Sequence, residues 1–259
     1  MINVLIEFGI FLKKQASSAI FGGLMLFFLL LSRVVAVPGF HRYDVLFVVA
    51  VLVQLVLIVT RLEHPKEILA IIIFHICAML MEIWKTSPAV GSWSYPEPAF
   101  FAIATVPLFT GFMYSSVGSY IARSWRINNF RFVNLPKRLI LILLGLTIYV
   151  NFFTNVLVQD ARYLLFALAV VIFWKTKFYA TITSRTFCIH PLVSNALFAG
   201  VIWLAEQAGT FSRAWIYADQ SDVWTPVSFH YFTSWYMLLI FSFIIISLIY
   251  KNDEEIKSN

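Results

Sequence analysis

The chain has 259 residues, of which 61% are hydrophobic and 12% charged, with a formal net charge of +6 and a mean hydropathy of +0.84. Soluble domains carry about 25% charged residues, so this composition excludes an ordinary water-soluble fold. The basic balance does not point to nucleic acid, because the Lys and Arg residues fall between apolar runs, where orientation signals of membrane proteins belong.

The chain opens with "MINVLIEFGIFLKKQASS". Lys13 and Lys14 follow the apolar stretch here, whereas the charges of a signal peptide precede it. Val4, Phe8, Phe11 and Leu12 share one helical face, which predicts a helix over 1–16 lying in the membrane surface.

Eight apolar segments follow, at 18–37, 43–60, 67–84, 99–122, 138–156, 161–174, 190–206 and 228–250. Most approach the roughly 20 residues needed to cross a bilayer. Backbone polar groups must be satisfied internally in lipid, which leaves helices or a closed barrel. The runs are continuously apolar rather than alternating, so they read as helices. The sixth is short. It either stops near Trp174 or continues to Tyr179 with its lysines snorkelling. The predicted fold is all-α: a single integral membrane domain over 1–259, a polytopic bundle of about eight transmembrane helices.

Placing the N-terminus in the cytoplasm leaves Arg33, Arg42, Lys85, Arg162 and Arg213 on the far side and the other fourteen Lys and Arg residues, Arg185 among them, on the cytoplasmic side. That asymmetry fits the positive-inside rule with an even number of spans and both termini cytoplasmic. The densest basic stretch, 123–138, reads as attraction to anionic lipid headgroups. Cys77 lies mid-span and Cys188 in a loop, which is neither a disulfide framework nor a metal-ligand spacing.

One pattern recurs. Glu82 closes the third segment and Trp93, Tyr95 and Glu97 follow it. Glu206 closes the seventh, and Trp215, Tyr217 and Asp219 follow. Recurrence after four segments predicts a parallel internal repeat with halves 1–137 and 138–259. The aromatic residues alone fit an interfacial belt, but a belt does not account for the paired carboxylates.

Ionisable residues inside spans are costly and so mark function. Glu82 and Glu206 are the candidate acid and base, joined by His75, two turns from Glu82 on one helical face. Candidate substrate-binding residues are Trp93, Tyr95, Glu97, Trp215, Tyr217, Asp219, His230 and Trp235. Asn151 and Asn155, one turn apart, and Arg33, a counter-charge for either glutamate, complete the set. Glycine-loop, zinc and nucleophile-elbow motifs are absent, so no cofactor and no metal are expected.

The stretches "EIWKTSPAVGSWSYPEPAFFAIATVPLFTGFMYSSVGSYIARSWR" and "AEQAGTFSRAWIYADQSDVWTPVSFHYFTSWY" resemble the YoaT family of bacterial membrane proteins. The resemblance covers essentially the whole chain and implies a bacterial cytoplasmic membrane location but no activity. One departure is Ala218, where the family's proline after the second tyrosine is expected, as Pro96 follows Tyr95. A second pattern, Glu82, Trp93, Tyr95, Glu206, Trp215, Tyr217, Pro226 and Trp235, is similar to membrane carotenoid hydratases and small-subunit-type lycopene cyclases. That similarity implies carboxylates that protonate a polyene beside aromatic rings that stabilise the cation.

Three functions are open at this point: an enzyme acting on an isoprenoid or other lipid, a proton-coupled carrier of a small solute, and a non-catalytic protein whose motifs serve packing or partner binding.

Overall fold

The computed structural model describes residues 2–183 and 186–257. Arg185 lies outside them, and so do the side chains of Val4, Lys251 and Lys257.

The described chain is mostly helical. α1 (Ile2–Ser18) meets α2 (Ile20–Val34) at a bend of 66°. α3 (Arg42–Val59), α4 (Pro65–Lys85), α5 (Phe109–Ile127), α6 (Arg138–Thr154), α7 (Arg162–Phe173), α8 (Pro191–Phe211) and α9 (His230–Lys257) follow. Each apolar segment of the sequence therefore holds a helix. Crossing a membrane is a stricter requirement. α3, α4 and residues 230–250 of α9 are long and apolar enough for it, and the bent pair of α1 and α2 passes if it counts as one span. These elements suggest a helical membrane protein.

α4 and α8 open in the same way. Each has a His-Pro pair at its start, with Pro65 and Pro191 in the first helical position, where the missing N–H costs nothing. Glu67 reaches back to the His64 amide at 2.7 Å, and the His190 ring accepts from the Leu192 amide at 3.3 Å. Each helix is 21 residues long.

The structure corrects the expected boundaries in three places. The fourth helix begins at Phe109 rather than 99, because β1 (Ala102–Ile103) and β2 (Val106–Pro107) form a small hairpin ahead of it. It then runs on through Arg123 and Arg126, which the sequence reading had assigned to a loop. α7 ends at Phe173, in agreement with the expected 161–174 and against the alternative continuation to Tyr179. α8 extends five residues past Glu206, so that glutamate sits inside the helix rather than closing it.

The all-α expectation also gains an exception. β3 (Arg131–Val133), β4 (Lys177–Thr181) and β5 (Thr186–Ile189) form an antiparallel sheet with β4 in the centre. Cys188 therefore lies in a strand. Phe132 and Phe178 stack on this sheet at 5.0 Å, and Phe132 and Phe173 both meet Phe243 of α9, which ties the sheet to the bundle.

α9 is the central post, packing against α4, α5, α6, α7 and α8. Leu239, Ile240 and Ile244 on it are essentially fully buried. α5 packs most extensively on α4, and small residues allow it. Gly111 and Gly118, two turns apart, receive the rings of His75 and Phe74.

Candidate functional site: two glutamates in one aromatic cluster

α4 and α8 each deliver one glutamate to the interior. Glu82 is 1% exposed and Glu206 is 3% exposed. Past each helix the chain turns into a Trp-x-Tyr segment, and the two segments meet. Ser94 and Ile216 pair as an antiparallel bridge, exchanging both backbone hydrogen bonds at 2.9 Å. This pairing brings the two occurrences of the motif, 122 residues apart in sequence, into register.

Glu82 accepts from the Trp93 indole N–H at 2.9 Å and from the Tyr95 hydroxyl at 2.7 Å, both at Oε2. The Tyr114 hydroxyl of α5 is a further side-chain partner. Glu206 accepts from the Tyr217 hydroxyl and from the Trp235 indole N–H of α9. Tyr114 and Trp235 are thus equivalent parts of the two sets, and they stack on each other at 5.9 Å. Trp93 lies edge-on to Tyr217 at 6.3 Å. Both glutamates are therefore linked by two aromatic contacts, each running from a donor on one carboxylate to a donor on the other. Glu82 lies close enough to act electrostatically on Glu206 and on Tyr217.

These hydrogen-bonding partners are all neutral. A buried ion without a counter-ion costs several kcal/mol in roughly any protein setting, whereas hydroxyl and indole donors serve a carboxyl that takes and releases a proton. Burial, and then the adjacent carboxylate, pushes the Tyr95 and Tyr217 phenols well above their ordinary range. They remain hydrogen-bond donors at neutral pH.

The remaining sequence candidates lie elsewhere. His75 is slotted against Gly111 and edge-on to Phe112 at 4.8 Å, where it packs rather than bonding Glu82. Trp215 lies over Gly209 in an apolar cluster with Tyr43, Phe109 and Tyr95. Glu97 pairs with Arg42 at 2.8 Å, and Arg42 also donates to the Ser212 carbonyl at 3.0 Å. Asp219 is exposed in a turn of 3-10 helix, His230 is exposed at the start of α9, and Arg33 is exposed in the last turn of α2. The Asn151 side chain bonds Asp160 and the Ala161 amide, and the Asn155 oxygen accepts from Lys85 at 2.6 Å.

The sequence reading missed Tyr114. Its signal was its offset from Tyr95, 19 residues, against 18 from Tyr217 to Trp235. It also missed a buried charge cluster at the opposite end of α4. Glu63, 3% exposed, accepts from Gln54 and from Ser119, the latter at 2.5 Å. Burial pushes the Glu63 carboxyl up, against the opposing pull of those two donors and of Arg123. Arg123, 1% exposed, donates to the Leu62 and Ser17 carbonyls, and Arg126 pairs with Glu67 at 2.6 Å. Two of the basic residues expected at lipid headgroups are therefore engaged inside the protein, while Arg131, Lys137 and Arg138 are exposed.

The sequence matches the family model "Protein of unknown function (DUF817)" over residues 7–243. The chain belongs to the DUF817 family. It is similar to "Uncharacterized protein YoaT" of Bacillus subtilis (strain 168), with 34% identity over 254 residues, covering 98% of this chain and 94% of that one. The resemblance to the YoaT family is thereby shown; the similarity to carotenoid hydratases and lycopene cyclases is not. No solved structure matches. For this DUF817 chain the geometry of the glutamate pair is therefore the guide to function.

Proposed function

We propose that this DUF817 protein is a multi-pass protein of the bacterial cytoplasmic membrane that uses Glu82 and Glu206 as one acid–base unit on an isoprenoid or other membrane lipid near the outer face. One observation carries the reading. Two separate Glu-Trp-Tyr motifs converge on a single buried cluster with neutral donors. Packing alone does not require a carboxylate at each of two equivalent positions, since apolar residues of similar size would fill the space at no desolvation cost.

The topology that goes with it has eight crossings, α2 to α9, with both termini cytoplasmic and α1 in the membrane surface. α7, at 12 residues, rises about 18 Å, short of the roughly 30 Å hydrocarbon core. Local thinning of the bilayer takes up the shortfall in this topology, with the exposed Lys175 and Lys177 beyond the helix end on the cytoplasmic side. The matched His-Pro openings, glutamates, Trp-x-Tyr segments and the Tyr114–Trp235 pair support a parallel repeat of two four-helix halves.

The test is a mass-spectrometric comparison of total lipid extracts from cells lacking the protein, overproducing it, or overproducing Glu82→Gln. A lipid that appears or disappears only with the intact protein supports the reading. The same change made by Glu82→Gln sinks it.

A second reading is a proton-coupled carrier. It is favoured by the enclosure of both carboxyls among helices from the two halves. Proton flux in vesicles that depends on both glutamates, with unchanged lipids, would select it.

A further inference from the structure

Away from the glutamate pair, the ends of α6, α7 and α9 build a second polar cluster. Arg162 Nε donates to Asp160 Oδ2 at 2.5 Å, and its Nη1 donates to the Thr233 and Ser234 hydroxyls at 3.1 and 2.9 Å. Asp160 also accepts from the Arg162 amide at 2.9 Å and from Asn151 at 3.3 Å. Burial alone would push the Asp160 carboxyl up, but the hydrogen bonds from Arg162 and Asn151 and the charge of Arg162 outweigh it and hold the carboxyl below its usual range. Lys85, bonded to Asn155, lies within the electrostatic reach of both Asp160 and Arg162. Two cations against one carboxylate leave the cluster with one positive charge in excess.

This cluster is the lip of a cavity. A small recess is lined by Asn151, Asn155, Arg162 and Ser234. Arg162 and Met237 are shared with a larger cavity of about 300 Å³ between α7, α8 and α9. Apart from Arg162 and Thr233 its walls are apolar or aromatic, among them Phe166, Ala196, Phe232 and Tyr236. Beside it Leu164, Val193 and Leu197 are exposed, an apolar surface of the kind that meets lipid.

We infer that this cavity is a binding site for an anionic phospholipid of the surrounding bilayer, with one acyl chain between α7, α8 and α9 and the phosphate at Arg162. A polar, net-positive mouth on an apolar slot is the complement of that amphiphile. Arg162 Nε and Nη1 are held by Asp160, Thr233 and Ser234, which fixes the guanidinium at the mouth and leaves Nη2 as its donor toward a phosphate. At about 300 Å³ the cavity lies at the small end of ligand sites and takes one chain rather than two. The inference does not depend on whether Glu82 and Glu206 move protons.

The experiment loads the purified full-length protein with phosphatidylglycerol or with phosphatidylcholine of the same acyl chains and counts retained lipid by native mass spectrometry. The wild type retains one phosphatidylglycerol per chain, preferred over phosphatidylcholine by about tenfold, because both lipids offer the phosphate but the choline cation opposes the net-positive mouth. Arg162→Gln loses the preference. Ala196→Trp, which fills the slot and leaves the mouth intact, retains neither lipid, and it serves alone if Arg162→Gln does not fold. Equal retention of the two lipids by the wild type, or undiminished phosphatidylglycerol on Ala196→Trp, overturns the inference.

Discussion

Tyr114 of α5 and Trp235 of α9 stack with ring centroids 5.9 Å apart and planes at 29°, and each hydrogen-bonds a different buried glutamate. This contact joins the two motifs at their second layer, above the Ser94–Ile216 bridge that joins them at the first. If the cluster is one unit, removing a donor on one side should be felt on the other. Tyr114→Phe and Trp235→Phe are each expected to destabilise the protein by about 1–3 kcal/mol, through an unsatisfied buried carboxyl. Their double variant should depart from additivity by about 0.5 kcal/mol or more. Thermal unfolding in detergent reads all three; strict additivity would mean two independent clusters.

Gly209 gives a prediction whose sign is unusual. Alanine in place of a helical glycine ordinarily stabilises by roughly 0.5–1 kcal/mol. A Cβ at Gly209 would lie 2.2 Å from Trp215 Cη2, so the indole must move. Gly209→Ala should instead cost about 1–3 kcal/mol, the range for overpacking. Gly23→Ala, with nothing within 4 Å, should be neutral or stabilising. Melting temperatures of the two variants, measured side by side, decide the matter.

Arg123 holds three parts of the fold together, since it donates from α5 to Leu62 ahead of α4 and to Ser17 at the end of α1. Its loss would take the donor from the Ser17 carbonyl, while the Leu62 carbonyl would keep the Arg126 Nη2 donor at 3.1 Å. Arg123→Leu is expected to cost about 3–5 kcal/mol, as for removal of one partner from a buried charged set. Arg131→Leu, at an exposed position, should change stability by no more than about 0.5 kcal/mol. Yield of folded protein and chemical denaturation measure both.

Asp160 predicts an acid-sensitive corner. Its folded-state pKa lies below the ordinary 3.8. A depressed carboxyl contributes stability that is complete above the unfolded value and is lost as pH falls through the folded one. Protection from hydrogen exchange at the start of α7, relative to the unstructured rate at each pH, should therefore fall below about pH 4 in the wild type. Asp160→Asn should exchange faster at neutral pH and show no such transition. A wild-type profile flat down to pH 2 would contradict this.

Much of the architecture was legible because lipid imposes it. Continuous apolar runs can be little but helices, and each of the eight segments holds one. The misplaced boundaries have local causes. Pro98 and Pro107 around the β1–β2 hairpin delay α5, and the aromatic residues of Phe130–Phe132 and Phe178 favour a sheet where the apolar count suggested only loop. The glutamate pair was legible as a repeated motif. Its convergence was not, because pairing across 122 residues leaves no periodic trace. Tyr114 hid among ordinary interfacial aromatics, and Arg123 read as a topology signal because its acceptors are backbone carbonyls, which a sequence does not display. His75 looked functional for the converse reason: an ionisable ring in a span is indistinguishable by sequence from one that fills the gap beside a glycine.

The most direct measurement is a cross-link. Ser94→Cys and Ile216→Cys are introduced together, with Cys77 and Cys188 replaced by serine. A directly opposed, hydrogen-bonded antiparallel pair places its Cα atoms about 5.5 Å apart, within disulfide reach. Convergence of the two motifs predicts rapid intramolecular disulfide formation under mild oxidation, seen as a mobility shift reversed by reductant. No bond under those conditions, or bonds only between molecules, would show that the glutamates do not share one site and would remove the basis for acid–base chemistry by the pair.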